Sequence, residues 1–377
     1  MDNLKKNIIS IIGVIICSSI IILLSKFIFT GGFLTDKYNK GMEYYKGVVT
    51  SIVEEDLQAD EFLEDVEVGF QTVSVEIKDG PLEGGEFEVG NPVSRLYNVK
   101  VKVGSKVIVG CYDRDGENVV TIFSYDRSNT LYMLMALFAV IVILIGGIKG
   151  IKSLVSLIFT LVCCIFLMLP LMFRGVNPIL AGIIMAILSI SVTLSLVSGI
   201  NKKTLTAILG TISGVVIAGV IAYIFGNLSN LSGITMEDAE SLMYIAEDTG
   251  LKIKGIMFTG ILVASLGAVM DVAMSIASSI FEIHSINNDA TIGELFKSAM
   301  NIGKDIIGTM TNTLILAFAG GSLSILILIY SSNMPYNKLI NLDVLGIELI
   351  QGISGSIGIV LAVPITAVIG SYLCKKK

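Results

Sequence analysis

Apolar residues along this chain gather in long runs rather than in alternation. Eight runs, at about 8–28, 130–148, 153–173, 178–200, 204–226, 256–282, 310–331 and 348–373, are nearly free of charge. Each is long enough to cross ~30 Å of hydrocarbon as a helix rising ~1.5 Å per residue. Between the first two runs the period changes. Short alternating or β-branched stretches such as "QTVSVEIKDG", "LYNVKVKV" and "SKVIVGCYD" are separated by turn signals such as "DGPLEGG" and "DRDGEN". The pattern predicts a polytopic α-helical membrane protein of about eight transmembrane helices. An extracytoplasmic small β-barrel-like, OB-like domain is expected after the first helix. The expected parts are a signal-anchor helix over 1–30, the β domain over 31–128 and a seven-helix membrane domain over 129–377.

Composition sharpens this division. Hydrophobic residues make up 53% of 377, above the ordinary soluble range of about 45–50%. Residues 31–128 hold nineteen acids and ten bases, a net −9 against −6 for the whole chain, so the rest carries +3. That acidic domain disfavours nucleic acid as a partner. Its aromatics Phe87, Tyr97, Tyr112, Phe123 and Tyr125 are explained as core or turn residues as readily as by a binding platform. Basic residues set the orientation. With the N-terminus inside, the inner segments carry eleven, among them Lys149, Lys152, Lys202, Lys203, Lys297 and Lys304, against Arg174, Lys252, Lys254 and Lys338 outside. Both termini are expected in the cytoplasm of a cell whose plasma membrane holds the chain, with 31–128 outside. The first apolar run exceeds a signal-peptide core and lacks a small-x-small cleavage site, so it reads as an uncleaved anchor.

Candidate chemistry centres on the sixth run, which holds Asp271 in its middle. Stepping by three or four residues gives Gly260, Ala264, Gly267, Asp271, Ser275, Ser278 and Glu282, all small or polar, while other faces carry Val269, Ile276 and Ile280. One stripe therefore concentrates the polarity, as on a helix turned toward a bundle interior or cavity. A charge at mid-bilayer costs ~2.5–3.5 kcal/mol on insertion scales. Asp271 is accordingly either a proton- or cation-coupling group or a neutral acid bonded to a neighbouring helix. Asn312 and Thr313 in the seventh run are candidate partners. His284, Asn301, Lys304 and Asp305 are candidates for a cytoplasmic gate, and Glu348 with Gln351 for an outer one. The series Gly210, Gly214, Ala218 and the series Ser354, Gly358, Ala362, Thr366, Gly370 predict close helix packing. Pro364 is expected to kink the last helix. Capping boxes at Thr235/Asp238 and Thr291/Glu294 predict two amphipathic surface helices, outside and inside.

Several chemistries find no support. Cys17, Cys111, Cys163, Cys164 and Cys374 have neither disulfide nor metal spacing, and one histidine cannot make a His-rich metal site. "GISG" at 352–355 has the form of an intramembrane serine protease motif, but the required His would have to be His284, expected at the opposite surface. No second intramembrane Asp and no nucleotide loop is present. No enzyme activity, metal or cofactor is expected. The expected partners are the lipid bilayer and an unidentified small solute or ion, with homo-oligomerisation left open.

The segments "GAVMDVAMSIASSIFEI" and "ELFKSAMNIGKDIIGTMTNTLILAFAGGS" closely resemble the YibE/F family of bacterial multipass membrane proteins, and the similarity covers roughly 130–373. Asp271, Ser275, Ser278, Glu282, Asn301, Lys304, Asp305, Asn312 and Thr313 fall within these segments. Members are regarded as permeases without an assigned substrate. The resemblance implies a permease here, and the polar stripe makes Asp271 the candidate proton- or cation-coupling residue. The rival reading is a membrane scaffold or sensor whose outer β domain recruits a partner.

Overall fold

The computed structural model describes residues 2–29, 42–63, 65–114, 117–234 and 239–375. The chain divides into two compact units, one of residues 31–141 and one of residues 1–30 with 142–377.

The first unit is built on five antiparallel strands: β1 (Met42–Ala59), β2 (Glu67–Ile77), β3 (Glu86–Val93), β4 (Lys106–Arg114) and β5 (Glu117–Tyr125), in the order β3-β2-β1-β4-β5. β1 is long enough to pair with β4 through its first half and with β2 through its second. Register shifts at Val49/Ser51 and Ile52/Glu54 bend it between the two. The order is that of an OB-type barrel, and the outer strands β3 and β5 approach each other. They do not pair, so the barrel stays half open. Val49, Val73, Val75, Ile77, Val89, Val107 and Val109 fill its core. Inside, Gln71 and Asn91 tie down the segment after β3. Gln71 donates to Val101 O at 3.0 Å and accepts from Val101 N at 3.0 Å, while Asn91 donates to Val99 O at 2.7 Å. Phe87 and Tyr125 pack on the core, as expected of core residues, whereas Tyr97 and Phe123 are exposed.

The second unit is helical: α1 (Asp2–Phe29), α2 (Ser128–Cys163, whose first part belongs to the β unit), α3 (Leu169–Phe173), α4 (Pro178–Ser198), α5 (Lys202–Leu228), α6 (Ala239–Thr249), α7 (Ile253–Ile286), α8 (Ile292–Gly321), α9 (Leu323–Ser331), α10 (Tyr336–Leu339) and α11 (Asp343–Lys375). Among the described residues six helices are long and apolar enough to cross a membrane, or seven if α8 and α9 count as one bent span. That count is below the eight expected, for a specific reason. The second and third runs merge into one helical stretch, Ser128–Phe173. It breaks at Gly147 (φ 54, ψ −133), a conformation open to glycine. The break is sharp, because a Cβ on Gly150 would lie 2.2 Å from the Val142 carbonyl oxygen, eight residues back. A π-helical turn, Cys164–Met168, then leads into Pro170, whose missing N–H cannot sustain the regular ladder.

The α8 region also departs from expectation. The inner amphipathic helix and the seventh run form one continuous helix, begun by the predicted capping box of Thr291 and Glu294. The chain then bends by 66° at Ser322, so the run 310–331 is split between α8 and α9. No proline lies between Lys304 and Met310 to end the amphipathic part, and Gly308 alone does not break the helix, whereas "AGGS" at 319–322 supplies a weaker point later. The other capping-box expectation, Thr235 and Asp238, lies outside the described residues. α11 runs unbroken through Pro364.

α7 is the hub, packed by α4, α5, α8 and α11. The two predicted small-residue series meet each other there. A Cβ on Gly210 would lie 2.0 Å from Thr366 Oγ1, one on Gly214 2.9 Å from Ala362 Cβ, and one on Gly358 2.8 Å from Ala218 Cβ. Backbones this close allow dense packing between helices. Val269, Val272, Ile276 and Ile280 of α7 fill the space beside them.

Candidate functional site

α7 and α8 are joined by residues 287–291 and run antiparallel. Gly303 of α8 lies against Ile276 (3.3 Å to Cδ1), and Leu314 and Ser265 meet at Gly355, at 2.9 and 3.4 Å from its Cβ position. These two contacts set the relative level of the helices. Asp271 lies opposite Gly308, one turn from Asn312 on one side and one turn from Lys304 and Asp305 on the other.

The polar stripe of α7 is all on one side, but it does not face the packed core. Gly260, Ala264, Gly267, Asp271, Ser275 and Glu282 are exposed and Ser278 is half-buried, while Val269, Ile276 and Ile280 point inward. Periodicity says which residues share a face; shape decides which face packs. Here the branched side chains fit the glycine-lined surfaces of α5 and α11, and the stripe is left on the open side. α8 repeats this arrangement, with Asn301, Lys304, Asp305, Thr309, Asn312 and Thr313 exposed and Leu295, Ala299, Gly303 and Leu314 buried. Nothing lies within 4 Å of where a Cβ would stand on Gly260, Gly267, Gly308 or Gly320.

Two adjacent helices therefore present small and polar open faces at matching levels. The hydroxyls on them mostly serve their own backbone: Ser275 donates to Asp271 O at 2.8 Å and Thr313 to Thr309 O at 2.9 Å. Among the described residues no group donates to the Asp271 carboxylate, and the Asn312 amide has no partner. Lys304 and Asp305 form no ion pair there either. A lone carboxylate with an amide and hydroxyl oxygens nearby can take up a proton or a hard cation. His284, near the end of α7, keeps a buried Nδ1 without a partner.

Glu348 and Gln351 lie elsewhere, at the start of α11. Both line a cleft of about 780 Å³ together with Gly321, Ser322 and Ser324 at the α8–α9 bend. A bend of this size frees backbone groups that a straight helix would pair. Sequence reasoning missed Ser322 and its bend; the signal was the double glycine followed by serine. Ser354 is buried beside Gly355, level with Ser265, and His284 lies nineteen residues farther along α7, about 28 Å at the helical rise. The two are too far apart to form a nucleophile and its base.

No curated protein and no solved structure matches this chain. The model of YibE/F-like proteins matches residues 134–376, which takes in all of α4–α11 with most of α2 and every candidate residue above. A bundle hubbed on α7 and its two open polar helix faces thus lie wholly within that match, and the chain belongs to the YibE/F-like family.

Proposed function

We propose that this protein is a multipass permease of the bacterial plasma membrane, moving a small solute or ion, with Asp271 carrying the coupled proton or cation. Its long apolar helices and its family support the membrane part of this reading. The observation that carries the transport part is Asp271 itself, an unpartnered carboxylate midway along α7 on an open face shared in level with unpartnered Asn312. A face of glycine, serine and aspartate gains little from lipid and much from water. The open sides of α7 and α8 are therefore read as the wall of an aqueous path. Asn312 and Thr313 supply further polar groups beside Asp271. Glu282 and His284 mark the mouth near the 287–291 connection, Asn301, Lys304 and Asp305 lie between that mouth and Asp271, and Glu348 with Gln351 marks the other end at the α8–α9 bend. Movement of α8 and its bend against α7 would alternate access, and no covalent step is required.

The test is thermal unfolding of the purified full-length protein, wild type beside Asp271→Asn, over a pH series and with Na⁺, K⁺ and Mg²⁺ as probes. Wild type is expected to shift its melting temperature with pH or with one cation, and the Asn variant to lose that shift while still folding. Identical melting under every condition would sink the coupling role. An Asn variant that cannot fold would make Asp271 structural.

A second reading, a scaffold or sensor, has one observation in its favour. At one end of the β sheet Phe62, Leu96 and Tyr97 are 76%, 90% and 72% exposed around the Arg95–Asp60 pair. Such a tip suits a docking partner. Phe62→Ser with Tyr97→Ser would abolish function under this reading and leave ligand-dependent melting intact under the first.

A further inference from the structure

The helical unit holds a second polar feature, away from α7 and α8. Lys152, in the part of α2 that follows the Gly147 break, is only 9% exposed, and among the described residues nothing pairs with it. It lines a cleft of about 730 Å³ between α1, α2 and α4, together with Asn7, Ser191 and Ser195. The two serines stand one turn apart on α4, and among the described residues no side-chain hydrogen bond occupies either hydroxyl. Val192 and Leu196 give the cleft apolar wall as well.

The sequence explains why this ammonium has no internal counter-charge. No Asp or Glu occurs between Asp126 and Glu237, so α2, α3, α4 and α5 hold none, and α1 has only Asp2 at its start. Basic residues instead gather at this end of the helices, with Lys149 beside Lys152 and Lys202 and Lys203 just after α4. A buried cation is stable when an anion meets it and the remaining lone pairs and protons are satisfied. Among the described residues no carboxylate meets Lys152, so an anion from outside the chain can complete the site. An ammonium flanked by two hydroxyls and an amide presents hydrogen-bond donors in several directions, which suits the oxygens of a phosphate group. Apolar wall beside it suits an acyl chain.

We propose that this cleft binds the phosphate of an anionic phospholipid, with Lys152 as its counter-charge and Ser191, Ser195 and Asn7 as additional donors. The proposal rests on the membrane reading and is independent of transport and of Asp271. Resistance of the protein to alkaline extraction from membranes tests the membrane reading separately.

The experiment is native mass spectrometry of the full-length protein in a zwitterionic detergent, with phosphatidylglycerol or phosphatidylcholine of the same acyl chains. A parallel arm adds inorganic phosphate before phosphatidylglycerol. Wild type is expected to retain one phosphatidylglycerol in preference to phosphatidylcholine, and phosphate alone should not displace it. Lys152→Gln should lower that occupancy at least about fivefold, whereas Lys149→Gln, at an exposed neighbour, should leave it within about twofold. Equal retention of both lipids, or unchanged occupancy in Lys152→Gln, would overturn the site. Displacement by phosphate would assign the cleft to the free anion and overturn the lipid source. If Lys152→Gln does not fold, the double variant Ser191→Ala, Ser195→Ala decides: reduced occupancy supports the site, and wild-type occupancy overturns it.

Discussion

Asp60 shows how one side chain can hold a connection in place. Its side chain is 1% exposed and accepts from the backbone N–H groups of Phe62 and Leu63 at 2.9 and 3.1 Å, closing the turn after β1. Arg95, from the segment after β3, donates to the other carboxylate oxygen and lies 4.9 Å over the Phe62 ring. The Arg95 guanidinium, with help from the two N–H groups, holds the carboxyl below the usual carboxylate range. A carboxyl with a lowered native value stabilises the fold at pH above its unfolded value, and that contribution is lost as pH falls through the native one. Hydrogen exchange in the full-length protein should therefore show residues 60–63 opening more readily as pH drops below about 4, beyond the intrinsic change in exchange. In Asp60→Asn the segment should already be loose at neutral pH and nearly insensitive to acid; equal protection in both proteins would refute the clamp. The pairing of Asp60 with Arg95, thirty-five residues apart, could not be read from the sequence, where both look like surface charges. Asp271 is the opposite case. A single acid within an apolar run is visible without any structure, but whether its stripe faces the core depends on the shapes of other helices.

At the scale of elements, glycine spacing carried the most information. Gly210, Gly214 and Ala218 were legible as a packing series, and so were Gly358, Ala362 and Thr366, because only small residues at four-residue intervals let backbones approach. The structure pairs the two series with each other. The similar series on α7, Gly260, Ala264 and Gly267, spaced by four and then three, is exposed, and among the described residues no atom outside the local helix lies within 4 Å of a Cβ on Gly260 or Gly267. Spacing alone cannot separate these cases, and substitution can. Gly214→Leu must displace Ala362, Val269 or the Gly358 carbonyl and should destabilise the protein by at least ~1–3 kcal/mol. Gly267→Ala adds a methyl group to open space and removes a helix-disfavouring glycine, so it should be neutral or stabilising by up to ~1 kcal/mol. Thermal unfolding in detergent compares the two. Strong destabilisation by Gly267→Ala would mean that another surface covers the α7 stripe. Element boundaries were less legible. The amphipathic start of α8 and its apolar end differ in pattern but form one helix, because pattern reports surroundings while continuity depends on the backbone having no reason to stop.

For the whole molecule, the arrangement of the termini comes down to parity. Seven crossings, counting α8 and α9 as one bent span, would put the two ends of the chain on opposite sides of a membrane. The distribution of Lys and Arg asks for both ends inside, and so for an even number. A fold-back within the stretch Ser128–Phe173 would resolve the conflict. These 46 residues would extend about 69 Å as a straight helix, more than twice the hydrocarbon thickness. If the break at Gly147 turns the stretch into two passes, Lys149 lies at the inner turn and the total is eight. If α8 and α9 instead formed a re-entrant loop, the count would return to seven and residues 333–341 would lie inside. Single cysteines at three exposed positions, Lys149→Cys, Asn288→Cys and Asn337→Cys, in a background lacking the five native cysteines, separate these arrangements. Eight crossings predict that a membrane-impermeant maleimide labels Asn337→Cys in intact cells and reaches the other two only after permeabilisation. Labelling of Lys149→Cys from outside would remove the fold-back at Gly147. Protection of Asn337→Cys, with Lys149→Cys also protected, would make the bend at Ser322 a re-entrant one and place Glu348 and Gln351 at the inner surface, where they could no longer serve as the outer mouth of a path through Asp271.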